Sequence, residues 1–308
     1  MRVVVAGGAG FLGSHLCDVL LARGDEVVVL DDLSTGTLKN IAQHDTNPAF
    51  RFVEADVSVD VPVDGAVDAV ANFASAASPP VYLARPLQTL AVGSEGTRRL
   101  LELAERNGAR FIQASTSEVY GDPTIHPQRE DYWGNVNPVG PRSVYDESKR
   151  FAEALIMAHH RLLETNVGIA RIFNTYGPRL SPGDGRVVSN FIVQALRGDP
   201  LTVYGDGSQT RSLCYVADMV TGLRDLLDSD VTGPVNLGNP IELTVLELAQ
   251  RIIKAIGSLS AIEYGDLPTD DPARRRPDIA LAEKLLNWTP AVGLDVGLAN
   301  TIEYFKVA

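Results

Sequence analysis

Short β-branched runs separated by helical stretches organise the first half of the chain. The runs are RVVVA at 2–6, EVVVL at 26–30, FRFVEA at 50–55, VDAVANFA at 67–74, ARFIQA at 109–114 and VGIARIF at 167–173. The intervening stretches 11–23, about 86–107 and about 143–164 read as helices. Such alternation predicts an α/β fold, a doubly wound parallel sheet with crossover helices. After Phe173 the texture changes to Gly and Pro punctuation in NTYGPRLSPGDGR, followed by shorter elements such as LTVYGDGSQTR. That change marks a smaller C-terminal lobe, dividing the chain into 1–174 and 175–308. The run GPVNLGN at 233–239 is expected to return to the main sheet, so about 213–239 is assigned to the first domain as well. Neither an internal repeat nor a low-complexity segment interrupts this order.

The chain of 308 residues, 45% hydrophobic and 21% charged, is long enough for a sizeable core. Its 39 acidic and 27 basic residues give a formal charge of -12, and the basic ones are scattered apart from Arg274, Arg275 and Arg276. That balance argues against nucleic acid as a partner. Cys17 and Cys214 stand far apart without ligand-type neighbours and read as buried thiols of a reducing compartment, with no metal site. The chain opens directly on a strand and holds no apolar run near the ~20 residues of a membrane span. A cytoplasmic protein with no membrane partner is expected.

AGGAGFLGSHL follows the first strand and opens the first helix, supplying Gly7, Gly10 and Gly13 with Phe11 and Leu12 between them. A tight turn free of side chains lets a pyrophosphate approach the helix N-terminus, where unpaired N–H groups and the helix dipole favour negative charge. Asp31 ends the second strand, where an acid holds adenosine ribose hydroxyls and repels a 2′-phosphate, so NAD is the expected cofactor. Asp56 closes the third run as an adenine contact or a strand-end cap; Val57 beside it and Ala74 after the fourth run complete the cofactor candidates.

ASTSEVYGDP places a hydroxyl, Thr116, and a carboxylate, Glu118, two positions apart behind an apolar run. In a continuing strand both would leave the same face and address one small object. VYDESKRFAEAL puts Tyr145 and Lys149 four apart at a helix start, hence on one face. A tyrosine hydroxyl titrates near ~10, and a neighbouring ammonium lowers that by stabilising the phenolate.

With these residues in place, the chain resembles the extended short-chain dehydrogenase/reductases along essentially its whole length. Within them it resembles the UDP-glucuronate decarboxylase (UDP-xylose synthase) family. The strings carrying the resemblance are STSEVYGDPTIHPQREDYWGNVNPVGPRSVYDESKR, RIFNTYGPRL, DGRVVSNFIVQALRGDPLTVYGDGSQTRS, VNLGNP and DDPARRRPDI. The resemblance implies an NAD-binding Rossmann domain at 1–174 and a UDP-sugar-binding lobe at 175–308. It makes Thr116, Tyr145 and Lys149 the hydroxyl-oxidising set, the last two also touching NAD, with Glu118 in the additional acid/base position.

Tyr145 would then take the proton of the sugar 4-hydroxyl while C4 gives hydride to NAD. With a carboxylate on C5 the 4-keto product is a β-keto acid that loses carbon dioxide, and returned hydride gives UDP-xylose. Ser117 stands where related 4,6-dehydratases carry an aspartic acid, which disfavours elimination of water; 4-epimerases usually lack the glutamate. Asn174, Arg211 and Arg275 match positions that contact the diphosphate or sugar. Arg186 is a further substrate candidate, Tyr204 is placed to pack on uracil, and Arg275 to hold the substrate carboxylate.

Two positions depart from the family pattern, Gly93 for a common asparagine and Asn72 for a frequent histidine, and both predict weaker cofactor retention. The rival expectations are an oxidative decarboxylase releasing UDP-4-keto-pentose and NADH, another nucleotide-sugar 4-epimerase or dehydratase, and a non-catalytic NAD-binding protein, since fold alone never implies catalysis. The helices near 86–107 and 143–164 resemble subunit-pairing helices, so a homodimer is expected, through apolar positions such as Leu100, Leu103, Phe151 and Leu155 that fit packing on the sheet equally well.

Overall fold

The computed structural model describes residues 1–267 and 274–307. Six strands, β1 (Arg2–Ala6), β2 (Glu26–Asp31), β3 (Phe50–Glu54), β4 (Ala69–Asn72), β5 (Arg110–Thr116) and β6 (Val167–Ile172), join the strand Val235–Leu237 in one seven-stranded sheet. The spatial order is 235–237, β6, β5, β4, β1, β2, β3. Every neighbouring pair is parallel. Strand order reverses between β1 and β4, and a ligand crevice opens at such a switch point, beyond the carboxyl ends of the strands.

Alternate residues of each strand enter different cores. Val3, Val5, Val27 and Val29 pack with helix α1 (Phe11–Arg23) and the helix Val216–Leu227. Val4, Ala6, Val28 and Leu30 pack with Leu100, Leu101 and Ile156. Two-residue periodicity in strands clad on both faces produces this split. Leu100 and Leu103 are therefore 0% and 2% exposed and cannot meet a second subunit, whereas Phe151 is 50% exposed.

The expected helix 86–107 is present, running Pro86–Ala91 and Thr97–Asn107 with a π-helical turn Val92–Gly96 between them, and a short helix Pro79–Ala84 precedes it. Prolines lack an N–H and are tolerated in the first turn of a helix, so Pro79 and Pro86 each open a new one. Gly93 lies inside the π turn, where a Cβ would come within 2.6 Å of Ser148 Cβ. Its backbone thus packs directly on the helix Ser143–Leu163, while the neighbouring Val92 faces the crevice. The asparagine of the family pattern named above would have no room at this position without movement of Ser148.

A third core, around Tyr176, Phe191, Ile192, Leu248, Ile252 and Ile302, supports the C-terminal lobe. Beside it a small sheet sets Thr210–Ser212 between Glu242–Thr244 and Arg274–Arg275, with Arg275 opposite Arg211. Of the string DDPARRRPDI, residues 270–273 lie outside the described residues.

Arg110 ties the sheet to the returning segment. Its guanidinium donates to Asn166 Oδ1 (2.6 Å), Val167 O (2.7 Å), Leu226 O (3.1 Å) and Val231 O (2.7 Å). Burial lowers its pKa to about 10, so the charge is held at some cost for the sake of these acceptors. Replacement Arg110→Met removes the charge but orphans three carbonyls, and we expect a loss of about 2–4 kcal/mol. The measurement is the urea midpoint; an unchanged midpoint would mean that water serves those carbonyls as well as the guanidinium does.

Candidate active site

The glycine turn is built by close approach. At Gly7 (φ +76) a Cβ would lie 2.6 Å from Phe73 C, and at Gly13 it would lie 2.2 Å from Gly7 O. Gly10 is different: it caps α1 without a side-chain hydrogen bond, and a Cβ there would meet only Gly7 O, at 3.2 Å. The first-turn N–H groups of α1, including those of Phe11 and Leu12, thus border open space, which suits a diphosphate. Asp31 is 7% exposed and accepts from Ala9 N and Leu33 N, both at 2.9 Å, while burial raises its pKa. It braces the glycine turn as well as facing the crevice. Asp56 accepts from Ser58 N (2.8 Å) and Ser58 Oγ (2.6 Å), so it caps its strand end while still lining the crevice.

A single cavity of about 890 Å³ collects the sequence-nominated residues. Its walls include the glycine turn, Asp31, Asp56, Val57 and Ala74 from the sheet domain, then Thr116, Glu118, Tyr145 and Lys149. Asn174 follows the end of β6, and Arg186, Tyr204, Arg211 and Arg275 come from the C-terminal lobe. Asn72 does not line it; it is 1% exposed, donates to Gln113 Oε1 (2.9 Å) and accepts from Ala74 N (3.1 Å), which fixes the turn carrying Ala74. Arg186 is balanced by Asp184, Arg211 donates to Thr210 O at 2.9 Å, and Tyr204 is 44% exposed at the lip.

Thr116 and Glu118 do not share a strand face. β5 ends at Thr116, whose Oγ1 accepts from Glu118 N (3.2 Å), and the chain turns through a 3-10 segment, Ser117–Tyr120. Gly121 at φ +63 closes that turn, its N–H bonding Glu118 O at 2.9 Å. The turn aims Glu118 at two arginines. Arg275 grips both carboxylate oxygens (2.5 and 2.8 Å) and Arg142 donates to Oε2 at 3.0 Å. Although burial alone would raise it, the Arg275 and Arg142 charges bring the Glu118 pKa down to about 2. Glu118 is a fixed anion at neutral pH, not a proton carrier poised near 7.

Tyr145 is 6% exposed, its ring stacked on Tyr82 with centroids 5.1 Å apart and planes 4° apart. Burial pushes its hydroxyl up to about 12 against the opposing hydrogen bond with Thr116. Lys149 donates to Ala114 O at 2.9 Å and lies 5.8 Å from the Tyr145 ring centroid, and burial pulls its ammonium down to about 8. Desolvation therefore leaves the phenol above its ordinary value and not below it, the direction expected from sequence. Sequence reasoning also missed Arg142 and Tyr82. Arg142 stands three residues before Tyr145 at the helix N-cap, a spacing that could have flagged it; nothing in the sequence marks the ring stack.

The switch-point crevice, the glycine turn and Asp31 define a Rossmann-type dinucleotide-binding protein. The profile of the NAD dependent epimerase/dehydratase family matches residues 3–238, and the chain belongs to that family. It is 52% identical over 306 residues to UDP-glucuronic acid decarboxylase 4 of Arabidopsis thaliana, covering 99% of this chain and 69% of that one. It is 51% identical over 305 residues to UDP-glucuronic acid decarboxylase 1 of Danio rerio, covering 99% and 72%. Among solved structures it is similar to a UDP-glucose 4-epimerase from Thermotoga maritima with UDP-glucose (TM-score 0.90, 28% identity, 99% of each chain). A Bacillus cereus UDP-glucuronic acid 4-epimerase variant, solved with NAD and a fluorinated UDP-glucuronic acid, gives 0.88 and 27%, with 99% of each chain covered.

The folded-state pKa of Glu118 lies below its ordinary 4.5, so its stabilising charge is present above about 4.5 and is lost as pH falls toward 2. Glu118→Gln leaves two arginines facing each other and is expected to cost about 3–5 kcal/mol at pH 7. Urea unfolding at pH 7 and at pH 3 checks this: the loss should shrink at the lower pH, and an equal loss at both would refute the charge-based account.

Proposed function

We propose that the protein converts UDP-glucuronate to UDP-xylose through a 4-keto intermediate, using NAD that is regenerated in each turnover. The observation that carries this reading is the Arg275–Glu118–Arg142 cluster in the same cavity as Tyr145 and Thr116, a carboxylate-handling group beside a hydroxyl-oxidising one. Relatives near 50% identity along the whole chain, named as UDP-glucuronic acid decarboxylases, support the same substrate.

Thr116 and Tyr145 hold the sugar 4-hydroxyl, and Tyr145 takes its proton. Gly7, Gly10, Gly13 and Asp31 would hold NAD, which would supply the reversible hydride acceptor for C4 and a positive charge favouring the Tyr145 phenolate. Lys149 orients the tyrosine and shares its charge. Arg275 engages the C5 carboxylate until the 4-ketone accepts the electrons released with carbon dioxide. Glu118, anchored by Arg142, keeps that guanidinium in register and orders groups near C5 as a proton is added there. Ser117 offers no strong acid for dehydration. Asn174, Arg186 and Arg211 hold the diphosphate and Tyr204 covers the uracil; residues 1–174 with about 213–239 form the cofactor-binding domain, which also lends Thr116, Glu118, Tyr145 and Asn174 to the substrate, and the remainder of 175–308 forms the UDP-sugar lobe.

Two copies of the chain pair through the exposed Leu87, Leu90 and Phe151, giving a homodimer, and the two unpaired buried cysteines suit a cytoplasmic setting. No described helix is long and apolar enough to cross a membrane.

Incubation with UDP-glucuronate, followed by NMR of the sugar, NADH absorbance and carbon dioxide, tests the reading. UDP-xylose with no net NADH is expected. Stoichiometric NADH with free 4-keto-pentose would replace the closed cycle by an oxidative decarboxylase, and no carbon dioxide from NAD-loaded protein would refute decarboxylation. Tyr145→Phe is expected to retain NAD and lose about 10²–10⁴-fold in turnover; full turnover by that variant would remove Tyr145 from the chemistry.

A further inference from the structure

The residue after Tyr145 is also buried, and the mechanism above gives it no task. Asp146 lies in the first turn of the helix Ser143–Leu163 and is 6% exposed. Its Oδ1 is buried with no hydrogen-bond partner among the described residues. The charged groups acting on it are Glu118 from the turn after β5, Arg142 and Glu147 from its own helix, and Arg275 from the lobe. The phenols of Tyr82 and Tyr145 complete the titratable set around it.

An ionised carboxylate without a donor is costly in such a place, and burial together with Glu118 pushes its pKa up to about 7. Charge counting explains what this does. Arg142 and Arg275 bring two positive charges and Glu118 one negative. A substrate carboxylate adds the second negative charge and balances the cluster only while Asp146 is neutral; an ionised Asp146 leaves an excess anion.

We propose that Asp146 is a positioning residue, a buried acid that must stand neutral for the arginine cluster to admit the substrate carboxylate and whose ionisation turns the cluster against it. The proposal rests on the UDP-glucuronate reading for its ligand, and the test separates the two.

NAD-loaded protein in a Tyr145→Phe background, which blocks turnover, is titrated calorimetrically with UDP-glucuronate and with UDP-glucose between pH 6 and 8.5. UDP-glucuronate affinity is expected to fall as pH rises, approaching about tenfold per unit at the upper end. UDP-glucose, lacking the carboxylate, should show no such fall. Adding Asp146→Asn should flatten the UDP-glucuronate profile, and the same fall in that variant would overturn the proposal.

A second readout needs no sugar. The native state holds the Asp146 proton to higher pH than the unfolded chain, so stability from this group is full below about 4 and declines as pH rises toward 7. Asp146→Asn should therefore raise the thermal midpoint relative to the parent more at pH 8 than at pH 5. Equal shifts at the two pH values would also overturn the proposal. Carbon dioxide never forming from the Tyr145 enzyme, with both pH effects present, would sink the decarboxylase reading and leave Asp146 in its role.

Discussion

The contact between Glu118 and Arg275 joins residues 157 positions apart and connects the two halves of the molecule at the mouth of the crevice. Glu118 stands at the carboxyl end of a central parallel strand because the chain turns sharply after Thr116. Arg275 arrives on a two-residue strand held by Thr210–Ser212, which also carries Arg211. Neither side chain would be tolerated unpaired at this depth, since an isolated buried charge costs several kcal/mol. The pair therefore fixes where the lobe meets the sheet, and its bidentate geometry fixes the angle.

Much of this was legible in the sequence. The six β-branched runs are the first six strands to within a few residues, because parallel strands clad on both sides must be apolar and short. The glycine spacing located the turn because its requirement is local: no Cβ can occupy Gly7 or Gly13. The return to the sheet expected of the run GPVNLGN is found at Val235–Leu237, paired with β6. What failed has a local cause: the strand face expected to be shared by Thr116 and Glu118 extended a two-residue period past the point where the chain turns, at Ser117–Tyr120 and Gly121. Leu100 and Leu103 took the second of the two roles open to them, packing on the sheet.

Electrostatics was the least legible level, because the sign of a pKa shift depends on how much water is excluded and not only on which charges are near. Tyr145 and Lys149 are the expected neighbours, yet desolvation drives the phenol up and the ammonium down. Both shifts favour the uncharged forms, yet with Lys149 near 8 the ammonium is still the dominant form at neutral pH beside a neutral phenol. Tyr145 and Lys149 line the same cavity as the glycine turn that would hold NAD, and a cationic cofactor there would favour the phenolate. Glu118 shows the opposite outcome, since at equal depth two guanidinium groups overcome desolvation.

In the proposed reaction these opposite outcomes bear on selectivity. A substrate carboxylate held by Arg275 would compete with Glu118 for the same guanidinium group, so it would gain only the difference between two similar ion pairs. A free carboxylate ion would therefore gain little here. A carboxylate delivered on a ligand already anchored by its diphosphate meets the cluster at high effective concentration, and a small difference then suffices. Arg142, which also pairs with Glu118, would continue to neutralise it in the proposed exchange while Arg275 turned to the ligand. Without it, the exchange would leave a buried carboxylate exposed to another anion. The arrangement thus ties recognition of the acid to prior capture of the nucleotide, and it does so with one anion, two cations and the turn that aims them.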